Sequence, residues 1–231
     1  MQSFQNGVKK ALPVCIGMIS VGISFGLAAR QYGLSVMEAT MMSLIVVAGS
    51  SQFLALNMLQ QVTSPLIIVA GVFFINIRHL VMSTYVMNRL KGTPLYKKLL
   101  LAYVVCDESF SLFSLSRKQP DDAAYLGGMN LFLHLSWVLG TWLGTMLMNL
   151  VPLRMMDAMS VAIYATFISM LMPSLKESLR VVAIVLFTAF VNTLLTQTMP
   201  GGTAIVLSML IGAGFGTLLP DDKPVRGRAG K

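Results

Sequence analysis

Long apolar runs separated by short polar stretches form the dominant pattern along the chain. Eight apolar segments can be marked, at residues 11–31, 36–60, 65–88, 98–116, 124–150, 155–173, 179–198 and 202–219. A helix rises about 1.5 Å per residue, so about 20 residues cross the hydrocarbon core of a bilayer. The pattern predicts an all-α, polytopic membrane helical bundle with seven or eight transmembrane segments. The lower number applies if 98–116, which has two acids at its centre, does not cross.

The connections between these segments are too short to hold a soluble domain. We therefore expect a single integral membrane domain over residues 1–231, with polar tails at 1–10 and 220–231. Because lipid offers the backbone no hydrogen-bond partners, each crossing must satisfy its backbone groups internally, as a helix does.

The sequence also echoes itself weakly between its two halves. The motif G-x-x-x-G at 22–26 is followed by GLSVMEA at 33–39, and the same motif at 140–144 is followed by PLRMMDA at 152–158. This repetition favours two weakly related halves, as in many secondary transporters. The alternative is chance similarity between apolar stretches.

Composition supports the membrane class and narrows the possible partners. Hydrophobic residues make up 55% of the chain and charged residues 11%, whereas soluble domains carry about 25% charged residues. The net charge of +8 comes from short basic clusters, which are typical of loops that set topology and touch anionic lipid. We expect no nucleic-acid partner. The two cysteines, Cys15 and Cys106, lie in apolar runs and form no disulfide framework.

The distribution of basic residues conflicts with a simple count of crossings. Lys9 and Lys10 favour a cytoplasmic N-terminus, and the basic loop at 89–98 should also be cytoplasmic. Two full crossings at 36–60 and 65–88 would place these regions on opposite sides. One explanation is that a helix is broken or re-entrant, near 48–53 or 76–79. The other is that the remaining basic residues set the orientation and override Lys9 and Lys10.

The first of three polar groups inside the apolar segments is AGSSQF at 48–53. Gly49 permits a helix break, and the side chains of Ser50, Ser51 and Gln52 can then cap exposed backbone or bind a solute. The alternative is helix packing, because Gly and Ser are enriched where membrane helices touch. A glutamine is harder to explain in that way, so we predict that these four residues bind substrate.

The second group is NIRH at 76–79, near the middle of 65–88. An arginine at a helix centre costs about 2.5–3.5 kcal/mol on insertion scales, and Arg78 lies about 15 Å from the nearer end, too far for easy snorkelling. We predict that Asn76 and Arg78 bind substrate. His79 is a candidate for proton coupling, with a hydrogen-bonded structural histidine as the alternative.

The third group is the pair Asp107 and Glu108 in YVVCDESFSLFSL. Consecutive helical residues point about 100° apart, so the two acids cannot share one partner. We expect one to pair with Arg78 and the other to meet water or a proton, and we predict both as proton-coupling or ion-pair residues. The alternative is a shorter segment with both acids at the membrane interface.

Catalytic and metal-binding patterns are missing from the sequence. Ser50 with His79 superficially suggests a nucleophile and a base, but there is no G-x-S-x-G elbow and no third member. Neither His79 nor His134 has the spacing of metal ligands. We therefore expect no enzyme activity, no cofactor and no metal site.

Five motifs follow one another along the chain: PVCIGMISVGISFGLAA, AGSSQF, NIRHLVMS, CDESF and WVLGTWLG. This ordered set resembles the AzlC-type large subunit of bacterial branched-chain amino-acid exporters, the LIV-E family. The resemblance covers about residues 12–219. The sequence departs modestly from the family motif, which often has a second small residue such as Ala where Ser50 stands.

This resemblance implies a multi-pass protein of the bacterial plasma (inner) membrane that exports leucine, isoleucine, valine and, in some members, methionine. It also implies secondary transport driven by the proton gradient and a small membrane subunit of the AzlD type as partner. Two other functions remain open on the residues alone. One is a passive channel or pore for small solutes, and the other is a non-transporting membrane scaffold subunit.

Overall fold

The protein was analysed as a computed structural model that describes residues 1–116, 122–148 and 178–220, with Ile168, Leu171, Met172, Leu175 and Lys176 between the last two ranges. The described residues form helices and connecting turns, with no strand among them. The helices are α1 Gln2–Gln31, α2 Val36–Ile45, α3 Gly49–Gln60, α4 Pro65–Asn76, α5 Arg78–Arg89, α6 Leu95–Tyr103, α7 Asp107–Leu115, α8 Asp122–Leu147, α9 Leu179–Leu195 and α10 Gly201–Leu218. The predicted segment 155–173 falls almost entirely outside the described residues.

Three apolar segments that the sequence marks as continuous are broken in the structure. Residues 46–48 separate α2 from α3, Ile77 alone separates α4 from α5, and residues 104–106 separate α6 from α7. The first two breaks lie at the two places where a broken or re-entrant helix was one way to explain the charge distribution. The third corrects the expectation of a single helix over 98–116, because two acids at a helix centre favour the start of a new helix, where the N-terminal dipole stabilises negative charge.

The helix starts follow local sequence signals. Ser35 caps α2: its hydroxyl accepts a hydrogen bond from the Glu38 backbone at 3.2 Å, and the Glu38 carboxylate accepts one from the Ser35 backbone at 2.7 Å. This reciprocal pair satisfies two amides that the helix itself cannot. The turn before it contains Gly33 at φ +88°, a conformation that costs glycine little.

Among the described residues, three helical segments are long and apolar enough to cross a membrane: Gln2–Gln31, Pro65–Arg89 and Gly201–Leu218. Seven or eight crossings therefore stay a prediction. The N-terminal boundary is a correction, because α1 begins at Gln2 and so includes most of the predicted polar tail 1–10. This first part of α1 is held by packing, since Gly7 lies against the Tyr125 backbone in α8.

The chain divides into two compact units, the first formed by residues 1–57 and 72–163 and the second by residues 58–71 and 164–231. In the first unit, α1 and α8 pack along their length, and the helices α2 and α7 contact this pair. In the second unit, α9 packs on α10, where Phe187 and Phe215 stack with ring centroids 4.1 Å apart. A single integral membrane domain remains a prediction.

The two G-x-x-x-G motifs face each other across the contact between α1 and α8. A Cβ added at Gly22 would lie 2.8 Å from the backbone oxygen of Trp137, and one added at Gly140 would lie 2.5 Å from the backbone oxygen of Ile19. Small residues let the two backbones approach closely, as in other membrane helix pairs. Helix packing therefore explains the shared motif, and the relation between two halves stays a prediction.

We expect Gly22→Ala to lower stability by about 1–3 kcal/mol, because the added methyl group overpacks a backbone contact that cannot yield without separating α1 from α8. The matched control is Gly17→Ala in the same helix, where an added Cβ meets nothing within 4 Å. Thermal unfolding in detergent should show a loss for the first variant only. Equal unfolding temperatures for both variants would contradict the close packing.

Candidate functional site

Three broken segments bring polar residues together in the first unit. Arg78 begins α5, Asp107 begins α7, and Ser50 lies in the first turn of α3. The Arg78 guanidinium pairs with the Asp107 carboxylate at 2.9 Å and also donates a hydrogen bond to the Ser50 hydroxyl. The pairing expected between Arg78 and one of the two acids is therefore present, and the acid is Asp107.

This cluster, called here the Arg78 cluster and formed by Ser50, Arg78 and Asp107, is accessible. The side chains of Arg78 and Asp107 are 38% and 40% exposed, unlike ion pairs sealed in a protein core. Each member also lies at or near a helix N-terminus, where free backbone amides and the helix dipole favour an anion. A guanidinium adds to that positive potential, so the cluster suits a carboxylate or another small anion.

Gln52, two residues beyond Ser50, takes part in a different arrangement. Its amide donates to the Ser43 hydroxyl at 3.0 Å and accepts from the Trp137 indole at 2.9 Å. The Ser43 and Thr141 hydroxyls are 2.8 Å apart. The side chains of these three polar residues, Gln52, Ser43 and Thr141, are each 0% exposed. The polarity of Gln52 is thus used to join α2, α3 and α8 behind the Arg78 cluster.

We expect Gln52→Leu to destabilise the protein by about 1–3 kcal/mol, because it leaves the buried Trp137 N–H without its acceptor. Gln52→Glu preserves the acceptor and should cost less in unfolding temperature at a pH where the carboxyl group is protonated. Trp137→Phe in the Gln52→Leu background removes the orphaned donor and should recover part of the loss. Additive losses in the double variant would contradict a direct bond between the two side chains.

Gly49 and Ser51, the other residues predicted in this stretch, are explained by local structure. A Cβ on Gly49 would lie 2.9 Å from the Trp137 ring, so glycine lets α3 begin against the indole. Ser51 is 1% exposed, and its hydroxyl donates to the Ala48 carbonyl at 2.8 Å. Both residues shape the start of α3, which in turn carries Ser50.

Three further predicted residues, Asn76, His79 and Glu108, lie one or two positions from the Arg78 cluster in the sequence. The His79 ring lies against the Val105 backbone, in the break between α6 and α7, while its Nε2 is buried without a partner among the described residues. The Asn76 Oδ1 atom is also buried and unpaired within that part of the chain. Glu108 lies next to the Cys106 thiol and, unlike Asp107, forms no salt bridge with a described residue.

Sequence reasoning missed a second ion pair. Arg89 was counted as a free loop cation, but it ends α5 and pairs with Asp122 at the start of α8, through Nε–Oδ2 at 3.2 Å and Nη2–Oδ1 at 3.3 Å. Its Nη1 donates to the Phe113 carbonyl at 2.5 Å, and its Cζ lies 4.1 Å above the Phe113 ring. The side chains are only 14% and 6% exposed. The sequence signal for this pair was Asp122, an acid just before the apolar segment 124–150.

Helix α5 is consequently held at both of its ends. Arg78 at its start bonds Asp107 at the start of α7, and Arg89 at its end bonds the Phe113 carbonyl near the end of α7. The helices α5 and α7 are therefore joined by one side-chain contact near each end. Within the described ranges, no group of three His, Cys, Asp or Glu side chains is placed to hold a metal ion.

The protein is a multi-pass helical membrane protein, and its interrupted helices bring charged side chains together, as discontinuous helices do in many secondary transporters. Residues 13–151 match the family described as AzlC protein, and the chain belongs to that family. This range contains every residue of the Arg78 cluster and both members of the Arg89–Asp122 pair.

Individual relatives agree with the family assignment. An uncharacterized membrane protein of Archaeoglobus fulgidus is 30% identical over 175 residues, which are 75% of this chain and 76% of the relative. The branched-chain amino acid transport protein AzlC of Bacillus subtilis is 30% identical over 145 residues, 62% of this chain and 56% of the relative. The inner membrane protein YgaZ of Escherichia coli is 30% identical over 148 residues, 62% and 60% of the two chains. No solved structure matches.

Proposed function

We propose that this protein exports branched-chain amino acids across the membrane as a secondary transporter and that the Arg78 cluster binds the amino acid. The single observation that carries the proposal is the accessible ion pair between Arg78 and Asp107. The Bacillus subtilis relative, which is named for branched-chain amino acid transport, supports this class of substrate.

An amino-acid zwitterion has the charges needed to replace this ion pair. Its carboxylate matches the Arg78 guanidinium and the Ser50 hydroxyl, and its ammonium group matches the Asp107 carboxylate. When the substrate enters between the two side chains, each charge exchanges one partner for another, so the cost of separating the pair is largely offset. An anion or a cation alone would satisfy one side chain and leave the other unpaired.

Among the predicted site residues, the contacts favour direct roles in binding for Ser50 and Arg78, and also for Asp107, which was predicted as a proton-coupling or ion-pair residue. Gly49, Ser51 and Gln52 act behind them, because their polar groups are already bonded within the protein or, for glycine, provide space for Trp137. Asn76 has a free buried acceptor beside Arg78. It could accept a hydrogen bond from the substrate ammonium group, and we keep it in the proposed site.

Proton coupling is proposed for the residues that line the same helix starts. A proton on Asp107 would remove the negative charge that holds the substrate ammonium group, which would loosen the hold on the amino acid. His79 lies next in sequence to Arg78 and has an unpaired ring nitrogen, while Glu108 is the neighbouring acid. A small membrane subunit of the AzlD type is proposed as partner, on the strength of the family resemblance.

Counterflow in proteoliposomes tests the proposed function directly. Vesicles loaded with unlabelled leucine, isoleucine or valine should accumulate labelled leucine transiently, with the small co-encoded subunit present or absent in parallel samples. Vesicles loaded with lysine or aspartate serve as the substrate control. Labelled leucine that only equilibrates, whatever the internal solute, would favour a passive pore. No uptake in either sample would leave a scaffold subunit as the better function.

A further inference from the structure

The C-terminal ends of α2 and α6 meet in the first unit. The last carbonyls of any helix lack a partner within the helix. Here the Tyr103 hydroxyl at the end of α6 donates to the Ile45 carbonyl at the end of α2, at 2.6 Å. Two helix ends of the same negative partial charge are therefore held side by side.

Two side chains of α8 join the same helix ends. The Asn130 Nδ2 atom donates to the Leu101 carbonyl of α6 at 3.0 Å, and the His134 ring lies against the Leu44 backbone in α2. Asn130 and His134 are four residues apart, so they lie on one face of α8. The ends of α2 and α6 thus both contact this face of α8.

An unused oxygen lies in this region. Asn130 is only 3% exposed, and its Oδ1 atom is buried with no hydrogen-bond partner among the described residues. A buried amide oxygen without a partner costs about 1–3 kcal/mol. Each carbonyl that accepts one hydrogen bond also keeps a second lone pair. Among the described residues, no hydrogen-bond donor reaches the Asn130 Oδ1 atom, and the nearby His134 Nδ1 atom is also buried without a partner.

We propose that the ends of α2 and α6, with the Asn130 side chain, form a binding site for a monovalent cation of the sodium class. The helix ends supply partial negative charge and backbone oxygens, and Asn130 supplies the buried side-chain oxygen. Ile45 and Tyr103, at the two helix ends, are exposed. Unwound carbonyls and half-helix C-termini hold sodium in other transporters with broken helices.

The donor chemistry favours a monovalent ion over the common divalent ones. Calcium and magnesium sites usually include one or more carboxylates, whereas the oxygens gathered here are neutral. Along the chain, the acids that follow α6 are Asp107 and Glu108, which begin α7 after the break. The Arg78 cluster is formed by the starts of the same broken segments, so the anion-binding and cation-binding ends lie next to each other along the chain.

Thermal unfolding of the purified full-length protein tests this site without any transport assay. We compare chlorides of sodium, potassium, lithium and choline at matched ionic strength. A bound ion stabilises the folded state by mass action, so we expect the unfolding temperature in sodium to exceed that in choline by about 2–4 °C. Equal unfolding temperatures in all four chlorides would overturn the proposal, whatever the transported solute.

Two substitutions at one position separate ion binding from simple capping of Leu101. Asn130→Leu should abolish the difference between sodium and choline. Asn130→Asp cannot cap the carbonyl when ionised, but it is a stronger cation ligand, so the sodium-specific shift should persist or grow. A role in capping alone predicts equal harm from both variants and no ion-specific shift. A sodium shift that survives Asn130→Leu would also overturn the proposal.

The matched control is Asn192→Leu in the second unit. The Oδ1 atom of Asn192 already accepts a hydrogen bond from the Ser208 hydroxyl at 3.3 Å. This substitution should change the unfolding temperature equally in every salt and leave the sodium-specific difference intact. Loss of that difference in the control variant would locate the ion elsewhere and contradict the assignment to Asn130.

Discussion

Arg78→Ala should reduce leucine counterflow by about 10- to 150-fold at a substrate concentration below half-saturation. A hydrogen bond to a charged group contributes about 1.5–3 kcal/mol, and each 1.4 kcal/mol corresponds to about tenfold in affinity. The alanine also leaves Asp107 without its partner, so the site would present one negative charge to a zwitterion. The measurement is initial-rate counterflow in proteoliposomes with matched amounts of protein.

Two variants distinguish binding from folding at this position. Arg78→Lys keeps the charge but loses the forked geometry, so it should retain partial activity with a raised half-saturation constant. Arg180→Ala is the arginine control: Arg180 donates to the Gly216 carbonyl at 2.7 Å in the second unit, and its loss should leave the half-saturation constant unchanged. Wild-type counterflow by Arg78→Ala at normal expression would remove this residue from the site.

Arg89→Ala and Asp122→Ala should each destabilise the protein by about 3–5 kcal/mol. Removing one member of a buried ion pair leaves the other as an uncompensated buried charge, and these side chains are 14% and 6% exposed. We expect a large fall in the unfolding temperature and in the yield of monodisperse protein. Size-exclusion chromatography after a heating series measures both.

The double variant Arg89→Met with Asp122→Leu provides the control. Replacing both charges by apolar groups of similar size removes the orphaned charge, so it should be much less harmful than either alanine variant. The result would show coupling between the two positions, since independent sites give additive losses. Additive or greater loss in the double variant would contradict the ion pair.

The part of the fold that was predictable from sequence is the part set by apolar length and by charge. Apolar runs predicted the helices, and the conflict between Lys9, Lys10 and the basic loop at 89–98 favoured a broken helix near 48–53 or near 76–79, where two of the three breaks lie. The third break, at residues 104–106, was not predicted, because Val104, Val105 and Cys106 are apolar and the two acids after them were placed at the centre of one segment.

The candidate site was predictable in its residues but only partly in its contacts. An arginine and an acid at membrane depth must find partners, which predicted a pair between Arg78 and either Asp107 or Glu108. Nothing local distinguishes Ser50, which contacts Arg78, from Gln52, which contacts Trp137. That difference depends on the helical face that α8 covers, which is a property of tertiary packing.

From the sequence, Arg89 was assigned a role in a loop, and its ion pair with Asp122 was missed. Its position next to Lys91 made it look like a topology-setting loop cation, although Asp122 lies more than 30 positions further along the chain. Such a pair cannot be read from the sequence, because the path of the intervening helices α6 and α7 decides whether its members meet. The same holds for Asn130 and His134, whose role at the ends of α2 and α6 becomes visible only when the breaks are known.

Competition for leucine binding tests most directly whether the Arg78 cluster holds a zwitterion. Equilibrium binding of labelled leucine to the purified protein would be measured against leucine, leucinamide, which lacks the carboxylate, and 4-methylpentanoate, which lacks the ammonium group. We expect leucine to compete and both analogues to fail at concentrations at least 10-fold higher, since each leaves one charge of the Arg78–Asp107 pair without a partner. Competition by either analogue as strong as that by leucine would contradict a site built on Arg78 and Asp107 together.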